Sequence, residues 1–434
     1  MTPQVTIIGG GSYQWGPTLI GDLLNMPSLR DCHLVLEDTD PAPLPTMQAF
    51  AEKMIAAIDA KATVTTTTDQ REALKGADFV VVTVSTGGFA SMRHDLEVPW
   101  RHGIRHSVGD SVGPGGISRS LRNIPILVGI ARDMAEVCPD AWLLNITNPM
   151  TCLTRSVCKA TPIKAVGLCH EVYHFREQLA PAIGAEPADI RLTITGVNHL
   201  PIITAIDAAG TDGLAWLRDH AGDPGHEAFT KQHALKLDLL HRFGAIPGAG
   251  DRHVAEFFPF VLTEASDWGA SWGVALTTIE DREKWQGIYQ TYVKAMLEGR
   301  YKLPDEQSGE MVAPVIDSLI TGTPRELPLN WPNAGQAADL PQDAVVETMC
   351  IVDGEGIRGR ETVSAPAAVA EWARRHAATQ ELTVEAALTG DLELARAAFA
   401  ADPLTSRLDL RDQDAMVTEL LRATAAWLPP SLVP

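Results

Sequence analysis

The sequence predicts an α/β fold: a Rossmann-type doubly wound parallel sheet followed by a second, mixed α/β domain, in the manner of lactate dehydrogenase. Three observations predict it. The β-branched run QVTII at residues 4–8 leads straight into Gly9, Gly10 and Gly11. A helix-like apolar rhythm over Pro17–Leu24 is followed by HLVLE at 33–37, ending at the acid Asp38. Further apolar runs, at 77–84 and 141–146, recur between helical stretches such as 121–137. Strand, glycine turn, helix and acid-terminated strand make up the opening βαβ unit of a dinucleotide-binding fold. Runs that are apolar on both faces suit the interior of a parallel sheet.

The elements follow in order. Ile163–Val166 is a short strand candidate, and residues up to about 190 complete a first domain. From 191 to 434 the texture changes: Ile190–Gly196 and Ala344–Val352 alternate like strands. Segments 227–242, 281–299, 365–378 and 383–400 carry helical spacing. Pro304–Pro341 is rich in proline and glycine and is expected to be a loop-rich crossing.

The chain has 434 residues, enough for two or three cores, and a formal charge of −20. Such a surface repels nucleic acid and anionic membranes, so neither is expected as a partner. No apolar run is long enough for a membrane span, and the start MTPQVTIIGGG lacks the features of an export signal. The six cysteines form no CxxC pair and read as reduced thiols, which with the missing signal points to the cytoplasm.

Gly9-Gly10-Gly11-Ser12-Tyr13-Gln14 matches GxGxxG only in part, with Gln14 in the third glycine position. Glycines there let the backbone approach a pyrophosphate at a helix N-terminus. Asp38, 27 residues after Gly11, is placed to bind a ribose and to repel a 2′-phosphate, which favours NAD. Four further motifs carry chemistry. Gly109–Arg119 is a glycine-rich stretch read as a flexible loop, with the carboxylate Asp110 near one end and Arg119 at the other. Asn145–Pro149 sits at a strand end, where open α/β sheets place ligands. Cys169-His170 and Asn198-His199 end two strand-like segments 30 residues apart, and thiolate and imidazole both bind divalent ions. Core packing is the commoner explanation of a lone Cys or His, so the residues alone stop at an NAD-dependent enzyme with room for a metal.

Taken together, these pieces resemble glycoside hydrolase family 4, the NAD- and manganese-dependent glycosidases, with its α-galactosidase, α-glucosidase and α-galacturonidase branches. The resemblance runs nearly end to end: the GGGS opening, EDTD, GPGGISRSLRNIP, NITNPM, GLCHE, GVNHL, GDRHVAEFF and ETMCIVDGEGI. It implies that Gly9, Gly11, Ser12, Asp38 and Asn148 hold NAD and that Cys169 and His199 ligate Mn2+. Asn148, Arg119, Asn198 and Arg252 would contact the sugar. Asp251 would be the base, with Tyr173 as a second candidate and His170 as the acid. The implied reaction is oxidation at sugar carbon 3, elimination across carbons 2 and 1, water addition and re-reduction, outside the two-carboxylate scheme of other glycosidases. A homodimer or homotetramer is implied too. The sequence has no clear phosphate cradle, so the expected substrate is a small unphosphorylated α-galactoside or α-galacturonide. Arg252 and His253 leave room for another anionic sugar, such as a glucuronide, sulfoquinovoside or 6-phosphoglycoside. A 2-hydroxy acid dehydrogenase and a non-catalytic NAD sensor are the competing readings; neither needs Cys169 and His199.

Overall fold

The computed structural model describes residues 2–434. Its largest sheet has nine strands. Six are parallel: β1 (Gln4–Ile8), β2 (His33–Glu37), β3 (Thr63–Thr67), β4 (Phe79–Val82), β5 (Trp142–Asn145) and β6 (Lys164–Leu168). They lie in the order β3-β2-β1-β4-β5-β6. The order reverses between β1 and β4, so the loops after these two strands diverge and open a crevice at their carboxyl ends. Ile8 pairs with Val82, which places Gly9 and Thr83 side by side at its floor.

Alternation along each strand feeds two apolar layers. Val80 and Val82 point into one, with Leu121, Ile124 and Leu127 of the helix Gly113–Val137. Phe79 and Val81 point into the other, with Leu19, Leu23 and Phe50 of the helices Gly16–Asn25 and Leu44–Ala57. Later residues join both layers. Val384, Phe399 and Leu420 pack into the first, and Val312, Ile316 and Leu329 into the second.

A smaller sheet contains β7 (Ile190–Val197), β8 (Leu200–Ala208), β9 (Thr211–Asp212) and β10 (Ile246–Pro247). The large sheet then continues antiparallel beyond β6 through β11 (Arg325–Pro332), β12 (Val345–Asp353) and β13 (Gly356–Gly359). The sheet therefore runs on past residue 190.

Two expectations are corrected. Pro304–Pro341 is no bare crossing: it holds the helix Val312–Thr321 and strand β11. Pro314 lies in the first turn of that helix, where a missing N–H costs nothing. In β11 the ladder to β6 is confined to Leu329 and Asn330, which lets the strand carry Pro328 and Pro332 on either side. Likewise, Gly109–Arg119 is only half loop, because a helix begins at Gly113. Pro114 starts it with a preset φ, and a Cβ on Gly116 would lie 2.5 Å from the Ser111 backbone, so the glycines serve close packing rather than mobility.

This helix is fixed to the helix Gly88–Arg101 by a buried ion pair. Arg122 reaches Asp95 through two guanidinium nitrogens and also donates from Nε to the Thr86 carbonyl at 3.2 Å. Both side chains are at most 1% exposed. Removing one partner strands a buried charge, so Asp95→Ala is expected to lose about 3–5 kcal/mol. Urea unfolding checks this: the loss should shrink when Arg122 is also replaced by Met, and a single variant as stable as the parent would contradict the assignment.

Candidate active site

The crevice between the β1 and β4 loops is a cleft of about 790 Å³. One end is the glycine turn. Gly9 has φ +86°, and a Cβ there would fall 2.0 Å from the Thr83 carbonyl oxygen, so only glycine fits. Gly11 N–H donates to Asp38 Oδ2 at 3.0 Å, which holds the acid over the turn and into the cleft. Ser12 Oγ accepts from Trp15 N–H at 3.1 Å and shapes the entry to the helix Gly16–Asn25. The turn leading into that helix, Ser12 to Trp15, lines the same space.

The other end is built from three segments. Asp110 comes from the loop before the helix Gly113–Val137, His199 from the two-residue turn between β7 and β8, and His253 from the short helix Asp251–Val254. Their ligand atoms lie within 4.8 Å of one another, and the two rings are 3.8 Å apart between centroids. His199 is held in the left-handed region, φ +64°, which turns its ring inward. Ser111 Oγ lies 2.8 Å from Asp110 Oδ1 and 2.7 Å from His199 Nδ1. One hydroxyl has one proton. If Ser111 donates it to Asp110, it accepts from His199 Nδ1–H, and Nε2 is left as a free lone pair.

Burial and the neighbouring His253 push His199 down to about 3, so its ring is neutral at physiological pH. Burial works against the Asp110 carboxylate, but the adjacent imidazoles and Arg119 outweigh it and hold its pKa at about 2. Since His199 is neutral at pH 7, Arg119 is a permanent charge that keeps Asp110 ionised there. Beside the cluster, Asn148 Oδ1 is buried without a hydrogen-bond partner, and so is His253 Nδ1. A carboxylate, two imidazoles and an unpaired amide oxygen suit a divalent ion of intermediate hardness, and residues of the same chain complete the dinucleotide cleft.

The sequence candidates fall into three groups. His199, Asn148 and Arg119 gather at the cluster, and Arg119 Nε donates to the Asn148 carbonyl at 3.0 Å. Cys169, Asn198 and His170 form an adjoining layer. Cys169 is buried directly after β6 and lies outside the three-residue group; burial, then Glu347 and Glu171, raise its pKa well above the usual thiol value. Asn198 Nδ2 donates to Glu347 Oε2 at 3.1 Å, and burial raises Glu347 to about 8, so this acid is mostly protonated at pH 7. His170 Nδ1 is 2.7 Å from Glu310 Oε1, and its Nε2 is 3.5 Å from Glu171 Oε1. Burial opposes the His170 charge, but these acids prevail and raise its pKa.

The remaining three are occupied elsewhere. Both oxygens of Asp251 accept backbone amides, Leu235 at 2.8 Å and Lys236 at 3.2 Å, at the start of the helix Ala234–Phe243. Tyr173 Oη donates to the Glu326 carbonyl at 2.8 Å, away from the cluster. Arg252 donates to the carbonyls of Ala275 and Ser107 and to Thr277 Oγ1. Sequence reasoning gave Asp110 no metal role and read His253 as an anion binder. It missed Glu171, Glu310 and Glu347, whose only signal was the Glu after Cys169-His170 and the Glu opening ETMCIVDGEGI.

The family model for family 4 glycosyl hydrolases matches residues 4–185, and the model for their C-terminal domain matches residues 194–405. The chain belongs to glycosyl hydrolase family 4. It is 32% identical to an alpha-galactosidase of Bacillus subtilis (strain 168), over 98% of this chain and 99% of that one. It is also 32% identical to an alpha-galacturonidase of Thermoanaerobacterium saccharolyticum, over 98% and 96%. A 6-phospho-beta glucosidase from Thermotoga maritima, solved with manganese, NAD+ and glucose-6-phosphate, superimposes with a TM-score of 0.82 over 98% of this chain and 99% of that one; at 20% identity it speaks to the fold. The chain is thus a glycosidase on a Rossmann-type frame, as the sequence predicted. No helix of the described residues is long and apolar enough to cross a membrane.

If the cluster holds the ion, Asp110→Asn and His199→Ala should each weaken Mn2+ binding by about tenfold or more, since each removes one charge or lone pair. Calorimetric titration of Mn2+ into the apoprotein checks this, with Cys169→Ser alongside; unchanged affinity in both cluster variants would place the ion elsewhere.

Proposed function

We propose that this protein hydrolyses small unphosphorylated α-galactosides or α-galacturonides with NAD and Mn2+ as cofactors. The observation that carries the reading is one continuous cleft with a glycine turn and Asp38 at one end and Asp110 and Asn148 at the other, where His199 and His253 stand against Asp110. The names of the curated relatives support the substrate class. When bound, the dinucleotide supplies reversible oxidation at a sugar carbon and the divalent ion supplies Lewis-acid stabilisation of the charge that follows.

The chain's own residues do the rest. Gly9 and Gly11 admit a pyrophosphate to the helix N-terminus, and Asp38 selects a free 2′-hydroxyl and so favours NAD. Asp110 and His199 are the metal donors, with His253 beside them and the Cys169 thiol as the further donor that the resemblance implies. Asn148 Oδ1 and Asn198 Oδ1, both buried and unpartnered, are free to receive sugar hydroxyls. Arg119 keeps Asp110 charged. His170, held by Glu310 and biased towards its protonated form, is the general acid that protonates the leaving oxygen. For Asp251 or Tyr173 to act as base, each would first have to give up the backbone contacts described above. Six free cysteines, five of them buried, suit a cytoplasmic setting, and the exposed pair Tyr292 and Tyr301 supports a homodimer or homotetramer.

Turnover of nitrophenyl α- and β-glycosides, with and without NAD and Mn2+ under reducing conditions, tests the reading. Cleavage of the α-galactoside or α-galacturonide only with both cofactors, and no net NADH, is expected. Steady NADH build-up without glycoside cleavage would overturn it in favour of a dehydrogenase. His170→Asn should lower kcat by about 10²-fold or more while dinucleotide binding persists.

A further inference from the structure

One guanidinium in the cleft has nothing to bind. Arg282 lies in the first turn of the helix Ile279–Leu297 and lines the cleft together with Asp110, Arg119 and Asn148. Its side chain makes no hydrogen bond and no ion pair among the described residues. The acids of its own helix turn are all engaged elsewhere. Glu280 and Glu283 meet Arg93 of the facing helix at 3.1 and 3.8 Å, and Asp281 takes the Thr278 hydroxyl at 2.7 Å.

Its nearest arginines add like charge. After burial itself, Arg282 is the largest influence lowering the pKa of Arg252, and it also presses on Arg119. Arg252 is satisfied by two carbonyls and a hydroxyl, whereas Arg119 gives only its Nε to the Asn148 carbonyl beside Asp110. Three positive groups thus converge near one carboxylate, Asp110, and Arg282, whose side chain makes no hydrogen bond among the described residues, is half-buried at the sugar end of the cleft.

The geometry points to Arg282 as the receptor for a carboxylate on the substrate, which makes a uronic acid glycoside, an α-galacturonide rather than a neutral α-galactoside, the preferred substrate. This rests on the proposed glycosidase function. A guanidinium matches a planar carboxylate with two parallel N–H donors, and the pairing costs least where the positive group has no partner to give up. It also moves the anion-binding role from Arg252, where the sequence places it, to a residue on a different helix. The same chemistry would fit the dinucleotide pyrophosphate, and the experiment separates the two.

The cofactor-loaded enzyme is assayed with nitrophenyl α-galacturonide and α-galactoside in parent, Arg282→Gln and Arg282→Lys forms, and NAD affinity is measured by titration. The parent should prefer the galacturonide. In Arg282→Gln the ratio of kcat/KM for galacturonide over galactoside should fall about 30-fold or more, carried mainly by KM, with Arg282→Lys between the two. A ratio within about threefold of the parent's, or a parent that prefers the galactoside, overturns the proposal. So does an NAD affinity that falls in step with equal losses on both glycosides, which assigns the guanidinium to the pyrophosphate. Turnover of neither glycoside by the parent removes the function on which the proposal rests; thermal melts of the variants show that they are folded.

Discussion

Keeping one carboxylate ionised in a desolvated cleft is the constraint on which the rest of this structure depends. Asp110 lies against His199 and His253, and His199 is neutral at physiological pH. The standing positive charge beside Asp110 is Arg119, one turn from Arg122 on the helix Gly113–Val137. Arg122 locks that helix to its neighbour through Asp95, and Gly115 and Gly116 let the Asp110 loop fold tightly back on the helix start. The glycines, the buried ion pair and the cluster therefore form one mechanical unit. A neutral Asp110 would be a poor donor for a divalent ion, and Asn148 would lose the acceptor that faces its amide at 3.4 Å.

Much of the frame was legible because local and global signals agree there. The inner parallel strands β1 and β4 are apolar on both faces, and the glycine turn and Asp38 sit where a dinucleotide fold needs them. The misreadings lie where composition and tertiary context part. Pro328 marks a loop by propensity, yet β11 tolerates it because only two residues pair with β6. Gly115 and Gly116 suggest flexibility, but here they pay for contact between a helix and its own preceding loop.

The site was legible in part for a similar reason. His199 and Asn148 end sheet strands, where position follows from the fold. Asp251 and His253 share a single helical turn, and no spacing argument says which of them faces the cleft. The structure turns Asp251 towards the Leu235 and Lys236 amides and His253 towards His199. Glu310 and Glu347 lie more than 130 residues from the Cys169-His170 pair they flank: Glu347 arrives on β12 of the antiparallel extension, and Glu310 just ahead of the helix Val312–Thr321. The same extension brings the mostly protonated Glu347 under Asn198, tying the sugar end of the cleft to the C-terminal half.

The central claim is that this cleft labilises a proton on the sugar rather than displacing the leaving group directly. Glycoside cleavage in D2O, followed by NMR of the released sugar, tests it most directly. The account predicts deuterium at carbon 2 of the product, because that proton is removed and replaced during each turnover. A product that keeps its original proton at carbon 2 would contradict the account and assign the cleft to direct displacement.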